Sequence, residues 1–180
     1  DSRTVDTKLA LGASVPSNVE FIARGSQGLS WFKSTGYRQL LRSVASRPRS
    51  EKKAVIINLG VNDLNNSSAY VTYMKKVAAN LKKYNCKMYY LSVNPVNRAM
   101  VKNAGAIYRT EAQVAAFNKV IYRKLCSGKN KSFTYINSCT NLQMKGWISN
   151  RHGAGIYDGL HYSNATYLRI FDYCMRYLNR

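Results

Sequence analysis

The chain has 180 residues, 28 of them Lys or Arg against 8 Asp or Glu, for a formal charge of +20. That length suits one domain spanning 1–180, able to bury roughly 70% of the surface its unfolded chain exposes. No apolar run reaches the roughly 18 residues a membrane span needs, and four cysteines without a CxxC pair exclude a cysteine-rich zinc site.

The charge is uneven. Residues 1–63 hold 10 basic and 5 acidic side chains, whereas residues 64–180 hold 18 and 3. Such a field draws polyanions: nucleic acid, anionic lipid, or a phosphate- or carboxylate-rich wall polymer. Charge alone does not choose among them, and it fits a solvated basic surface with no dedicated partner equally well; no nucleic-acid-binding motif is present, so no specific nucleic acid is expected.

In chain order, "VEFIA" (19–23), "AVIINLG" (54–60), "KMYYLSVN" (87–94) and "FTYIN" (133–137) read as short strands. The second and third are nearly continuous apolar runs, which suits strands covered on both faces. Helices fall between and after them. Residues 67–84 set Tyr70, Met74, Val77, Leu81 and Tyr84 on one stripe. Residues 111–125 do the same with Val114, Phe117, Ile121 and Leu125, behind a capping-box pattern Thr110–x–x–Gln113. Residues 164–178 align Tyr167, Ile170, Phe171, Cys174 and Leu178, with Ser163 as N-cap. The alternation predicts an α/β fold with a mainly parallel sheet, and ligands bind such sheets beyond the carboxyl ends of the strands.

That rule singles out a few loops. "YDGLHYSNATY" (157–167) carries Asp158 one turn before His161, whose unperturbed pKa near 6.5 suits proton transfer. Alone, Asp158–x–x–His161 fits a helix-entry turn as well as an acid–base pair. "GVND" (60–63) follows a strand, where the Asn62 amide can donate to an oxyanion and Asp63 can brace the loop, although alone the motif reads first as a plain Asn-Asp turn. "RGSQG" supplies Gly25 and Gly28, either of which allows close backbone approach to a ligand. The chain opens "DSRTVD", which puts a serine, Ser2, at its start. His152 reads as a surface loop histidine in preference to a pocket residue, Arg98 fits an anionic substrate or a solvated surface equally, and Trp31 and Trp147 fit a sugar-stacking face or plain packing. No Walker loop, GxSxG elbow, HExxH or zinc spacing occurs.

Ser2 in a shortened Gly-Asp-Ser block, a glycine after 19–23, "GVND" and "DGLH" stand in the order of the four blocks of the SGNH (GDSL-type) hydrolases, which the sequence resembles. The resemblance implies a three-layer α/β/α sandwich of flavodoxin-like type and a serine esterase or acylhydrolase that needs no cofactor or metal. It implies Ser2 as nucleophile, His161 as base and Asp158 as its orienter. The oxyanion hole would be the Ser2 backbone N–H, the Gly28 N–H (preferred over Gly25) and the Asn62 side chain. The family pattern also has a strand ahead of Asp-Ser; the sequence as given opens at Asp1, so a shortened amino end is expected. "DSRT" and "DGLHYSNATY" resemble a Firmicutes-like branch often found at the cell surface. An extracellular or surface setting follows, with a small acyl ester or acylated glycan as substrate. The rival reading is a non-catalytic module of the same scaffold that binds an anionic cell-surface polymer.

Overall fold

Three apolar segments pair side by side in the computed structural model, which describes residues 1–105, 109–152 and 156–178, the side chains of 151, 152 and 156 excepted. β1 (Lys53–Ile57), β2 (Cys86–Leu91) and β3 (Thr134–Ile136) form a parallel sheet in the order β1-β2-β3. The register sets Lys53 beside Cys86 and Ile57 beside Tyr90, then Tyr89 beside Thr134 and Leu91 beside Ile136.

Alternation along the strands builds two cores. Val55, Ile57, Met88 and Tyr90 enter one, with Tyr70, Met74, Val77 and Leu81 of α4 (Ser67–Leu81) and Val114, Phe117 and Ile121 of α6 (Glu111–Ile121). Tyr89, Leu91 and Ile136 enter the other. Leu142 of α7 (Ser138–Lys145), Tyr167, Ile170 and Cys174 of α8 (Asn164–Leu178) and Ala10 of α1 (Ser2–Leu11) meet them there. Helices therefore cover both faces of the sheet, giving the expected α/β/α sandwich. The remaining helices are α2 (Leu29–Trp31), α3 (Tyr37–Ala45) and α5 (Arg98–Asn103).

The helical stripes hold, with altered ends. The 67–84 helix tightens after Leu81 and stops at Asn85, which is left-handed at φ 57°. The 111–125 helix widens into a π turn at Tyr122–Cys126, and its Thr110–Gln113 capping box is present. Ser163 Oγ accepts from Thr166 N at 3.3 Å, capping α8.

Two expectations fail. Residues 19–23 are not a strand: they join no ladder with β1, β2 or β3, and strand propensity has no effect without a hydrogen-bonded neighbour. Phe21 packs instead against Phe171, ring centroids 6.3 Å apart. The stretch ahead of α8 is more than a turn. Ser149–His152 (β4) and Ile156–Tyr162 (β5) pair antiparallel, so Asp158 and His161 stand on a strand.

Candidate active site

α1 begins with the Asp1 carboxylate accepting from Arg3 N at 3.1 Å, which caps the helix and puts Ser2 in its first turn. Arg3, 3% exposed, fixes where that turn sits. Its Nε donates to Leu160 O at 2.8 Å, Nη1 to Asn94 O at 2.9 Å and Nη2 to Pro95 O at 3.0 Å. Its guanidinium lies over the Tyr162 ring, 4.8 Å from the centroid. Thr4 Oγ1 accepts from Asn58 Nδ2 at 3.0 Å. Asn58 follows β1 and Asn94 lies beyond β2, so Ser2 stands at the carboxyl ends of the sheet strands, where ligands bind this architecture.

β5 supplies the partner groups. Gly159 has φ 67°, and a Cβ there would fall 2.5 Å from Asn97 O. Glycine thus lets the strand press on the segment after β2, where Asn97 N donates to Gly159 O at 2.9 Å. Asp158 Oδ1 accepts from Leu160 N and His161 N, each at 2.8 Å, while Oδ2 meets His161 Nδ1 at 2.5 Å. Burial pushes the Asp158 carboxyl upward, but the hydrogen bond from the His161 ring, the two backbone amides and attraction to His161 outweigh it, holding the group at about 2. Asp158 is therefore an anion at neutral pH, so the Nδ1 facing it carries the proton and Nε2 presents its lone pair. That Nε2 lies 2.9 Å from Ser2 Oγ. The result is a continuous relay from carboxylate to imidazole to hydroxyl, closed by residues 159 positions apart in the chain.

A second cluster forms around "GVND". Asp63 Oδ2 accepts from Leu29 N at 2.6 Å and from Tyr70 OH at 2.7 Å, bracing this loop against the start of α2. A Cβ on Gly28 would sit 2.1 Å from that same oxygen, whereas one on Gly25 would meet open space. Of these two, only Gly28 is required to be glycine by its surroundings. Asn62 Nδ2 donates to Gln27 O at 2.8 Å and Asn62 Oδ1 accepts from Arg109 Nη2 at 2.8 Å. Arg109 Nε also donates to Val61 O at 2.6 Å. These contacts fix the amide's orientation and leave its second N–H hydrogen for another acceptor. A cavity of about 260 Å³ adjoins, lined by Asn62, Asn65, Asn66, Arg109 and Gln113 among others. A larger groove of about 540 Å³ between α6 and α7 includes none of the residues singled out for chemistry.

Ser2, His161 and Asp158 thus come together, and Gly28 joins Asn62 through Gln27 and Asp63. Trp31 and Trp147 pack against the two cores. His152 ends β4, but its side chain lies outside the described residues. Cys126, Cys139 and Cys174 are buried free thiols and Cys86 is a half-buried one. Among the described residues no group of His, Cys, Asp or Glu could hold a metal ion.

Three residues of the site escaped the sequence. Arg3 and Arg109 carry no motif that sets them apart from the other cations, yet both are buried. Asp6, one turn past Ser2, sets Oδ2 4.0 Å from His161 Nε2 and accepts from Tyr167 OH at 3.1 Å. Its i, i+4 spacing from Ser2 was the available signal.

Comparison with known proteins bears on the whole arrangement. A solved structure from Streptococcus pneumonia, provisionally named a platelet activating factor, aligns with a TM-score of 0.52 at 16% identity. The alignment covers 98% of this chain and 90% of that one, and at this identity it speaks for the fold alone. No curated protein sequence matches the chain. Residues 8–174 match the family model for GDSL-like lipase/acylhydrolase, a span that takes in Gly28, Asn62, Asp158 and His161 and starts just after Ser2. With most of its length matched, the chain belongs to the GDSL-like lipase/acylhydrolase (SGNH) family of ester-cleaving hydrolases.

Proposed function

We propose that the protein is a serine esterase that removes a small acyl group through an acyl-enzyme. Ser2 is the nucleophile, His161 the general base and Asp158 the group that holds the imidazole tautomer. The observation that carries this reading is the relay of 2.9 Å from Ser2 Oγ to His161 Nε2 and 2.5 Å from His161 Nδ1 to Asp158 Oδ2.

Ser2 Oγ attacks the ester carbonyl as its proton passes to His161 Nε2, forming a tetrahedral oxyanion. The Ser2 backbone N–H, the Gly28 N–H and the Asn62 amide receive that charge, each worth about 3 kcal/mol in the transition state. Collapse breaks the bond to the alkoxide, which leaves with the proton from Nε2. Water then gives its proton to the same nitrogen, attacks the acyl-Ser2 carbonyl and frees the acid and the serine. Through these steps Asp158, held near pKa 2, stays anionic beside the imidazolium.

The substrate is a short acyl ester, with acetyl on a carbohydrate or cell-surface polymer preferred, in an extracellular or surface setting. The polar cavity beside Asn62 has room for a small group and amides suited to sugar hydroxyls, and a charge of +20 suits an acyl carrier that is itself anionic. Hydrolysis of p-nitrophenyl acetate tests the core of the reading. Ser2→Ala is expected to abolish turnover; a variant as active as the parent would refute it.

A further inference from the structure

A parallel sheet begins all its strands at one end, and here that end is where the charge collects. The connectors entering β1, β2 and β3 cover residues 46–53, 82–87 and 123–131. These 23 residues hold 11 of the 28 basic side chains and one of the 8 acidic ones, Glu51. An eighth of the chain thus carries half of its net charge. Arg47, Arg49, Lys52, Lys82, Lys83, Lys87, Arg123, Lys124, Lys129 and Lys131 are all exposed.

The connectors are contiguous. Lys53 N donates to Asn85 O at 3.1 Å, Asn85 Nδ2 to Ser50 O at 3.2 Å, and Lys53 Nζ reaches the carbonyls of Pro48, Glu51 and Tyr84. The third connector follows through the β2–β3 ladder. Helix C-termini account for some of these cations, since Lys82, Lys83, Arg123 and Lys124 lie in the last turns before β2 and β3. They do not account for Arg47, Arg49, Lys52, Lys87, Lys129 and Lys131. Among the described residues no carboxylate lies within ion-pair distance of any of the ten exposed cations. Ser2 and Asn62, by contrast, stand at the carboxyl ends of the strands, across the sheet.

We propose that this face docks poly(glycerol phosphate), a flexible, linear phosphodiester polyanion without bases or acyl tails, leaving the opposite end free for catalysis. The patch carries the charge without the other features that rival partners use. Of the large exposed apolar side chains, none lies within the three connectors, so nothing there is built to enter a bilayer. Tyr84 is the sole aromatic residue in them and lies beneath Arg49 at 5.6 Å, while the exposed Tyr122 bordering the third packs edge-on against Tyr135 at 5.3 Å, so no row of rings is offered for stacking bases. The proposal rests on topology and charge and is independent of the role given to Ser2.

The test measures binding of poly(glycerol phosphate) to the whole chain across a salt series. It compares the parent, a patch variant (Arg49→Gln, Lys83→Gln, Lys87→Gln, Lys131→Gln) and a control (Lys33→Gln, Lys76→Gln, Lys102→Gln, Lys145→Gln). Oligo-dT and phosphatidylglycerol vesicles run in parallel. The patch variant is expected to lose at least tenfold in affinity and to flatten the log–log salt slope by about two to three, while hydrolysing a soluble ester at the parental rate. The control keeps most of the affinity. Equal losses in patch and control variants, no binding at low salt, or tighter binding to oligo-dT or vesicles would each overturn the proposal.

Discussion

Replacing Arg3 by Met should unsettle both the fold and the site, because one guanidinium holds three backbone carbonyls from two distant segments. Each bond from a charged donor is worth about 1.5–3 kcal/mol. Relieving the burial of a guanidinium, which cannot shed its proton, returns several kcal/mol of that sum. The net loss expected is about 3 kcal/mol, a fall in Tm of roughly 6–12 °C for a chain of this size. Met fills much of the vacated volume, so the loss reports the polar contacts rather than a cavity. Because Arg3 sits next to Ser2 and grips Leu160, next to His161, loosening it should also cut kcat by about tenfold or more. Denaturant unfolding and ester hydrolysis on the same samples measure both. A variant within about 1 kcal/mol of the parent and equally active would show that α1 is positioned by something else.

Asp158→Asn should lower kcat by about 10³–10⁴-fold, since an amide can no longer fix the imidazole tautomer, with steady-state kinetics as the check. The same substitution should change acid stability. The Asp158 carboxyl is depressed from 3.8 to about 2 on folding, so it contributes roughly 2 kcal/mol that is fully present above about pH 4 and lost as pH falls through 2; unfolding midpoints of the variant should lack that component. Asn62→Ala should reduce kcat by about 10²–10³-fold with KM little changed, and a matching rise in KM alone would count against a role in the transition state. Gly28→Ala should cost about 1–3 kcal/mol, because its Cβ would collide with Asp63 Oδ2, whereas Gly25→Ala should be silent in the same melts.

Much of the fold was legible because it rests on local periodicity. The stripes of α4, α6 and α8 announce which face is buried, and the apolar runs of β1 and β2 announce cover on both sides. What escaped depends on partners. Residues 19–23 have the composition of a strand but no neighbour to pair with, and β4 is a polar "SNRH" segment that is a strand only because β5 lies beside it. The site divides the same way. Asn62 could be nominated by its place after a strand, Asp158 and His161 by their spacing ahead of the last helix, and Ser2 only through the family resemblance. Arg3 and Arg109 could not, since nothing in the sequence separates a buried guanidinium gripping carbonyls from the 26 other cationic side chains. The preference for Gly28 over Gly25 rested on its place before the "LSW" helix entry; its physical reason, the Asp63 carboxylate pressed against it, needed the fold.

The central claim is that the Ser2 hydroxyl is activated by the His161 imidazole it touches. Reaction with a fluorophosphonate, followed by intact-mass measurement and peptide mapping, reads that activation at a single atom. The account predicts one adduct per chain, on Ser2, formed rapidly in the parent and far more slowly in His161→Ala. An active protein that takes no label, or takes it elsewhere, would contradict it.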